Sequence, residues 1–259
     1  MRSFQILSLA LLASAIGCAA DSGPVVGDDE LSGETGDGEA AKADGIDTFG
    51  IYTATKVGAF ECNGAGSCTH VELARANRTT TKCADGSTAE TCEVRTLDFS
   101  GLHLSATKLD ELTTKLQKSA NDPEQGAQLL IRGEYVHGTN PVQPAVADWV
   151  TFKVTQVWEA QFGNGNNDGV FVMASDNGRR CITAPCESTN EARLNSTRTL
   201  AIDGLDWSQE VQPDAYVAKA NAAMVKQDGL IIVGYRTHDE VSGKQTTLRD
   251  INQMYLLVK

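Results

Sequence analysis

A tight cysteine pair that leads into one short motif occurs twice along the chain. In each copy the pair precedes the pattern Ala-Arg-x-Asn-x-Thr. The two copies are Cys62 with Cys68 before residues 74–79, and Cys181 with Cys186 before residues 192–197. Further blocks match in the same order, which indicates a duplicated unit of about 100 residues, far longer than a solenoid repeat. The matched blocks are 51–52 with 170–171, 97–105 with 200–208, and 129–133 with 230–234.

The duplication predicts an α+β fold made of two related modules, 49–161 and 162–259. Each module is expected to hold a small, mainly antiparallel sheet and one helix. The strands are predicted from short apolar or alternating segments bounded by turn residues. In the first module these are 51–55, 71–76, 94–99, 128–136 and 149–159; in the second they are 170–174, 199–202, 230–235 and 254–258.

One helix is predicted in each module. In the first, Ser105 is a candidate N-cap for an apolar stripe at helical spacing, which consists of Leu109, Leu112 and Leu116. In the second, Pro213 suits the first turn of a helix. Its sheet-facing residues are then expected to be Tyr216, Ala220 and Met224.

The first 17 residues have the features of a lipoprotein signal peptide. Arg2 is their only charge, and the apolar run that follows is too short to span a bilayer. The run ends in Ala15-Ile-Gly-Cys18, which resembles the bacterial lipobox and makes Cys18 the lipidation site. By resemblance to sorted bacterial lipoproteins, Ala19 then favours the outer membrane, at its periplasmic or cell-surface face. An ordinary cleavage after Ala13-Ser-Ala15 is the alternative, and it predicts a secreted protein.

Residues 18–48 are predicted to be an acidic, disordered tether. Residues 19–48 hold nine Asp or Glu, a single Lys and almost no large apolar side chain. Such a composition cannot bury enough apolar surface to offset the entropy cost of ordering. The formal net charge of the chain is −12, and no basic patch with interleaved aromatic residues is present. We therefore predict no nucleic-acid partner.

The cysteine count supports both export and lipidation. The chain has seven cysteines, and setting Cys18 aside leaves three close pairs. In an oxidising compartment close pairs are usually disulfides. The predicted disulfides are Cys62–Cys68, Cys83–Cys92 and Cys181–Cys186. Metal binding is the alternative, but zinc sites favour two to four intervening residues, and only the Cys181 pair has four. No metal or other cofactor is predicted.

The cysteine blocks and the flanking residues resemble a known family. The signal, the acidic tether and the segments Lys82-Cys-Ala-Asp-Gly86 and Arg180-Cys-Ile-Thr-Ala-Pro-Cys186 are similar to predicted secreted proteins and lipoproteins of myxobacteria. The resemblance covers residues 49–259. It implies a domain of unknown function, and it supplies no catalytic residue.

Several weaker motifs are candidates for binding or catalysis. Asn164-Gly-Asn-Asn-Asp168-Gly partly matches a calcium loop, but it begins with Asn and Ser175 stands where the loop needs Glu, so a plain turn is favoured. The four histidines have no metal-ligand spacing. Asn77 and Asn195 are expected to hydrogen-bond the backbone of the turns that contain them.

These observations predict an exported, membrane-anchored lipoprotein that is not an enzyme. No nucleophile elbow, HExxH or phosphate-loop motif occurs. The leading interpretation is a structural or ligand-binding surface module. The alternative is a protease inhibitor or protein-binding module in which a disulfide-closed loop, 63–67 or 182–185, enters a partner's cleft.

Overall fold

The computed structural model describes residues 50–61, 67–122, 126–138, 149–162, 167–207, 214–226, 229–241 and 243–259. We call 50–162 the first half and 167–259 the second half. The signal peptide, the tether, Cys18, Cys62 and Pro213 lie outside the described residues. Among the described residues, no helix is long and apolar enough to cross a membrane.

The described part of the chain contains sixteen strands and two α-helices. In the first half the strands are β1 (Ile51–Glu61), β2 (Ser67–Arg75), β3 (Thr81–Lys82), β4 (Thr88–Ala89), β5 (Cys92–Val94), β6 (Thr96–Asp98), β7 (Leu129–Gly138) and β8 (Trp149–Ala160). In the second half they are β9 (Val170–Asp176), β10 (Thr189–Arg193), β11 (Thr199–Ile202), β12 (Gly204–Asp206), β13 (Leu230–Gly234), β14 (Arg236–Val241), β15 (Lys244–Asp250) and β16 (Gln253–Leu257). The helices are α1 (Ala106–Asn121) and α2 (Asp214–Lys226).

The prediction of an α+β fold made of two modules with separate small sheets is wrong, because the described chain is mainly antiparallel sheet with two α-helices. A single eleven-stranded sheet, mainly antiparallel, runs through both halves in the order β11-β10-β9-β13-β16-β8-β7-β1-β2-β5, with β6 beside β8. The join is the ladder between β8 and β16, in which Glu159 lies opposite Leu256. Strands β12, β15 and β14 form a second sheet, and β3 pairs with β4. Because main-chain hydrogen bonds continue across the join, the two halves form one sheet.

The large sheet curls back on itself. Four strands separate β1 from β9 in the strand order, which would place them about 24 Å apart in a flat sheet. Yet Asn195, which follows β10, donates from Nδ2 to the carbonyl oxygen of Ile51 in β1 at 2.8 Å. The curled strands enclose a central apolar cluster that includes Trp158, Phe171 and Tyr255.

Each helix packs against the strands of its own half, α1 against β1 and β7 and α2 against β9 and β13. The Ser105 side chain caps α1 and accepts a hydrogen bond from the Lys108 backbone N–H at 3.2 Å, as the sequence predicts. Leu112 and Leu116 of α1 are buried in the cluster of the first half. Ala220 of α2 is buried in that of the second half, and Tyr216 and Met224 pack against the same cluster.

Two asparagines fasten the halves to each other. Asn77 and Asn195 adopt left-handed conformations with φ of 59° and 55°. The Asn77 side chain accepts from the N–H of Phe171 at 2.8 Å and donates to its carbonyl at 2.7 Å. The Asn195 side chain accepts from the N–H of Ile51 at 3.3 Å and donates to its carbonyl. These side chains therefore bond the opposite half, rather than their own turns as the sequence had suggested.

Candidate functional site

A recess lies between the Cys181–Cys186 loop and helix α2. It is a cleft of about 510 Å³. Its walls are the end of β9, the loop, the β11–β12 segment and one face of α2. The lining residues are Asp176, Arg179, Arg180, Cys181, Cys186, Ser188, Thr189, Asp203, Gly204, Leu205, Trp207, Asn221, Met224 and Val225.

The loop that forms one wall is held by local hydrogen bonds and by its disulfide. Where β9 ends, Asp176 Oδ1 accepts from the N–H of Gly178 at 2.8 Å, and Asn177 Oδ1 accepts from the N–H of Arg179 at 2.9 Å. Asn177 Nδ2 also donates to the carbonyl of Glu187 at 2.8 Å, across the base of the loop. The Cys181–Cys186 bond closes the tip, with the two Cα atoms 5.7 Å apart. The loop is therefore preorganised.

Two ion pairs line the rim of the cleft. Arg180 binds both oxygens of Asp176, at 2.9 and 2.6 Å, and Arg179 binds Glu187 at 2.8 Å. The hydrogen bonds from Arg180 and from the N–H of Gly178 lower the pKa of Asp176 to about 2. The Asp176 carboxylate is thus ionised at neutral pH. Because Arg179, Arg180 and Glu187 are largely exposed, a ligand can exchange their contacts at small cost.

Part of the cleft lining is apolar. Leu205, Trp207 and Met224 line it, and all three also pack against the core cluster beneath α2. Asp203 adds a carboxylate that accepts from the N–H of Thr247 through Oδ2 at 2.8 Å. Its Oδ1 is buried, without a hydrogen bond from the described residues. An apolar wall with a few placed polar groups is the usual lining of a ligand site.

A fully exposed isoleucine marks the tip of the loop. Ile182 has a relative exposure of 104%, the largest among the exposed large apolar residues of the described chain. Val225, on the lip of the cleft, is 66% exposed. An isolated exposed apolar residue is common. Here, however, one stands on a disulfide-closed loop and another beside the cleft that the loop borders.

Two of the three predicted disulfides are present in the structure. Cys83 is bonded to Cys92, and Cys181 to Cys186. The first links the β3–β4 hairpin to β5, at the opposite end of the strand order from β10 and β11. The pairing of Cys62 with Cys68 involves side chains outside those that are described.

The other sequence candidates do not gather into a site. His137 Nε2 lies 3.1 Å from the Ala84 carbonyl and His238 Nδ1 lies 3.2 Å from Thr247 Oγ1, both near the surface. Within the described ranges, no group of three or more His, Cys, Asp or Glu could hold a metal ion. Asn164 lies outside those ranges, while the carbonyl of Asp168 accepts from Asn252 Nδ2 at 2.7 Å.

Sequence reasoning identified the loop but missed the opposite wall of the cleft. Trp207 stands in a segment that was matched between the repeats, yet nothing local placed it against α2. Met224 was expected to face the sheet, and it does so while also lining the cleft. The loop, strand and helix that form the recess are far apart along the chain, so the sequence does not reveal it.

Comparisons with known proteins give a family. The model of a domain of unknown function, DUF6748, matches residues 53–259, and the chain belongs to that family. None of the curated proteins matches it. Among solved structures, a deletion mutant of the single-stranded DNA binding protein from Thermus aquaticus is similar, with 12% identity over 81% of this chain and 92% of that chain. Its TM-score of 0.20 is too low to support an inference.

Proposed function

We propose that this member of the DUF6748 family is an exported lipoprotein whose folded part is a ligand-binding module. In this proposal the ligand occupies the cleft between the Cys181–Cys186 loop and α2. The observation that carries it is the cleft itself, whose volume of about 510 Å³ falls within the roughly 300–1,000 Å³ typical of ligand sites.

The lining indicates an amphipathic ligand. Leu205, Trp207 and Met224 offer apolar surface for one part of it, and the Arg180–Asp176 pair at the rim offers hydrogen bonds for a polar part. The closed loop reduces the ordering cost of binding, because its conformation is already set by the disulfide and the Asn177 hydrogen bonds. The proposal is for binding and assigns no catalytic residue.

The test compares two exposed valines. Mature full-length protein is incubated with the small molecules of an envelope extract, and retained ligands are identified by native mass spectrometry. Val225→Glu places a charge at the lip of the cleft and should abolish retention. Val136→Glu, at a strand position that is 41% exposed and does not line the cleft, is the matched control and should retain the ligand. Equal retention by both variants would refute the site.

A second candidate is a protein-binding or protease-inhibiting role for the Cys181–Cys186 loop. The observation that favours it is Ile182, fully exposed at the tip. Mature protein should inhibit at least one member of a protease panel at micromolar concentration, and Ile182→Ser should remove the inhibition. Leu200→Ser, at another exposed apolar position, is the control. Absence of inhibition across the panel excludes the inhibitor role and leaves the cleft proposal intact.

The sheet is also proposed to have arisen by internal duplication. Strand registers support this, because corresponding pairs recur in the two halves. They are Tyr52↔Arg75 with Val172↔Arg193, Leu130↔Trp158 with Ile231↔Tyr255, and Tyr135↔Phe152 with Arg236↔Arg249. The registers equate Ile51 with Phe171, one position from the match made on sequence. The reciprocal bonds of Asn77 and Asn195 are further support.

Membrane attachment through Cys18 is part of the proposal and has its own test. The supporting observation is the lipobox-like end of the signal at residues 15–18. Wild-type protein expressed in a Gram-negative host should incorporate labelled fatty acid and sediment with outer membranes. Cys18→Ser should incorporate no label. Label-free wild-type protein in the culture medium would instead support secretion.

A further inference from the structure

The charged side chains at the rim of the cleft are paired with each other. Arg180 binds Asp176 at 2.6 Å, and Arg179 binds Glu187 at 2.8 Å. Each pair is neutral as a whole. A ligand that carries a net charge would have to take one member away from its partner, whereas an uncharged ligand can leave both pairs in place.

The remaining charged residue of the lining, Asp203, is already engaged by the protein. Its Oδ2 accepts from the Thr247 backbone N–H at 2.8 Å, and its Oδ1 is buried. Neither oxygen is therefore both free and accessible to a ligand. The cleft offers little to a cationic head group at this position.

Two neutral polar side chains of the lining have hydrogen-bonding groups to spare. Trp207, just after β12, is half-buried, and Asn221 is exposed on α2. Among the described residues, neither the Trp207 indole N–H nor the Asn221 side-chain amide makes a hydrogen bond. The indole supplies one donor, and the amide supplies two donors and an acceptor. The polar groups that remain available to a ligand are thus uncharged.

The first half indicates that packing alone does not require a tryptophan at position 207. Residues 97–105 match 200–208 in sequence, which equates Leu104 with Trp207. Both side chains are half-buried, and each packs against the core cluster of its own half. Leucine is therefore sufficient for this contact in the first half. In the second half the indole adds a larger apolar face and an N–H donor to the cleft.

We propose that the ligand of the cleft is an uncharged saccharide. This inference rests on the proposed ligand-binding function and specifies its chemistry. A pyranose ring has C–H groups on its faces and hydroxyls around its edge, and each hydroxyl can donate and accept. The Trp207 ring is the apolar surface for one face of the sugar, and the indole N–H and the Asn221 amide bind its hydroxyls. At the rim, a hydroxyl can accept from Arg180 and donate to Asp176 while the pair remains intact.

The experiment titrates mature full-length protein by calorimetry with the neutral trisaccharides maltotriose, cellotriose and tri-N-acetylglucosamine. Sodium octanoate and octylammonium chloride are the comparison probes, because they are amphipathic but carry a charge. At least one trisaccharide should bind saturably, and more tightly than either charged probe.

Trp207→Leu is the main test variant, because it introduces the residue that packs at the equivalent position of the first half. It should weaken saccharide binding about tenfold, since the ring face and the N–H donor are lost. Trp149→Leu removes a half-buried tryptophan of β8 that does not line the cleft, and it should bind as wild type does. Thermal denaturation shows whether each variant is folded.

Asn221→Ala is a second test variant that does not depend on the core. Position 221 is exposed on a helix, where alanine is well tolerated, so the variant should fold. The lost hydrogen bonds should weaken saccharide binding about threefold. Unchanged binding by this variant would contradict the assigned contact, and unchanged binding by Trp207→Leu would overturn the proposal.

Two further outcomes separate this proposal from the one on which it rests. If no trisaccharide binds, or a charged probe binds more tightly, the ligand is not an uncharged saccharide. The cleft is still a ligand site if Val225→Glu loses an extract ligand that wild-type protein retains. If Val225→Glu also leaves extract retention unchanged, the proposed function fails together with the saccharide.

Discussion

The two halves of the molecule fill one set of equivalent strand positions in opposite ways. In the first half Tyr135 lies opposite Phe152, with the ring centroids 5.2 Å apart and nearly perpendicular, and Tyr52 packs edge-on against Phe152. In the second half Arg236 lies opposite Arg249, and Glu191 binds both. The same pairing geometry thus carries an aromatic cluster at one end and a charged cluster at the other.

Strand register determines which side chains come into contact. The identity of those side chains determines whether the contact is apolar or ionic. Burial raises the pKa of both Tyr52 and Tyr135. These phenols therefore stay neutral, and the aromatic cluster contributes by apolar burial and by edge-to-face contacts. The charged cluster instead stabilises the fold only while every partner is present, because removing one partner leaves a buried charge uncompensated.

Breaking the charged cluster is expected to have the largest effect on stability. Glu191→Leu leaves Arg249 buried without its carboxylate and should lower the free energy of unfolding by about 3–5 kcal/mol. The loss is measured by urea denaturation at neutral pH. Converting all three positions to those of the first half, Glu191→Leu with Arg236→Tyr and Arg249→Phe, should recover most of it. A triple variant no more stable than the single one would show that the two ends are not interchangeable.

Asn77 and Asn195, which each hydrogen-bond the opposite half, form a second pair of equivalent residues. Asn195 is fully buried, whereas Asn77 is half-buried. Asn195→Ala removes the acceptor for the Ile51 N–H and forces alanine into φ near 55°. We expect a loss of about 2–4 kcal/mol from an unsatisfied buried donor plus the left-handed conformation. Asn77→Ala should lose less.

Asn195→Gly separates these two contributions. Glycine adopts positive φ without strain, so this variant loses only the hydrogen bonds. It should fall between wild type and Asn195→Ala in thermal denaturation. Equal stability of the alanine and glycine variants would mean that the backbone conformation contributes nothing.

Local sequence signals predicted much of the secondary structure. The Ser105 cap and the Leu112–Leu116 stripe identified α1, because capping and helical periodicity depend on near neighbours. Ten of the sixteen described strands were also found, whereas β3, β4, β10, β12, β14 and β15 were not. Their segments are largely polar, and alternation does not reveal that Arg249 is buried, since burial there depends on a partner in β10.

The long-range arrangement was not predictable in this way. Nothing near Glu159 or Leu256 specifies that β8 and β16 pair, so the two predicted sheets turned out to be one. The cleft was missed for the same reason: its walls come from β9, β12 and α2, which meet only after the sheet has formed. Of the candidate site, the sequence identified the disulfide-closed loop alone.

The smallest expected change in stability concerns one residue pair on the parallel strands of each half. In the first half Asp98 of β6 lies opposite Lys153 of β8, whereas in the second half Asp206 of β12 lies opposite Asp250 of β15. Burial, and then the charges of Asp206 and Asp239, raise the pKa of Asp250. Asp250→Lys would give the second half the opposite-charge pair of the first. We expect stabilisation of about 0.5 kcal/mol, typical of an exchanged cross-strand charge pair.

The effect of Asp250 on stability is small, but the sign of its pH dependence can be tested. A carboxyl whose folded-state pKa is raised contributes most to stability below its unfolded-state pKa, and the contribution is lost as pH rises through the folded-state value. Asp250→Asn, which cannot ionise, should therefore gain stability over wild type as the pH rises from below 3.8 through the folded-state pKa, and then hold that gain. Lys153→Asp in the first half is the reverse exchange and should destabilise at neutral pH. If Asp250→Asn instead loses stability relative to wild type as pH rises, the ionised carboxylate is favoured in the fold, and the contrast between the two strand pairs does not hold.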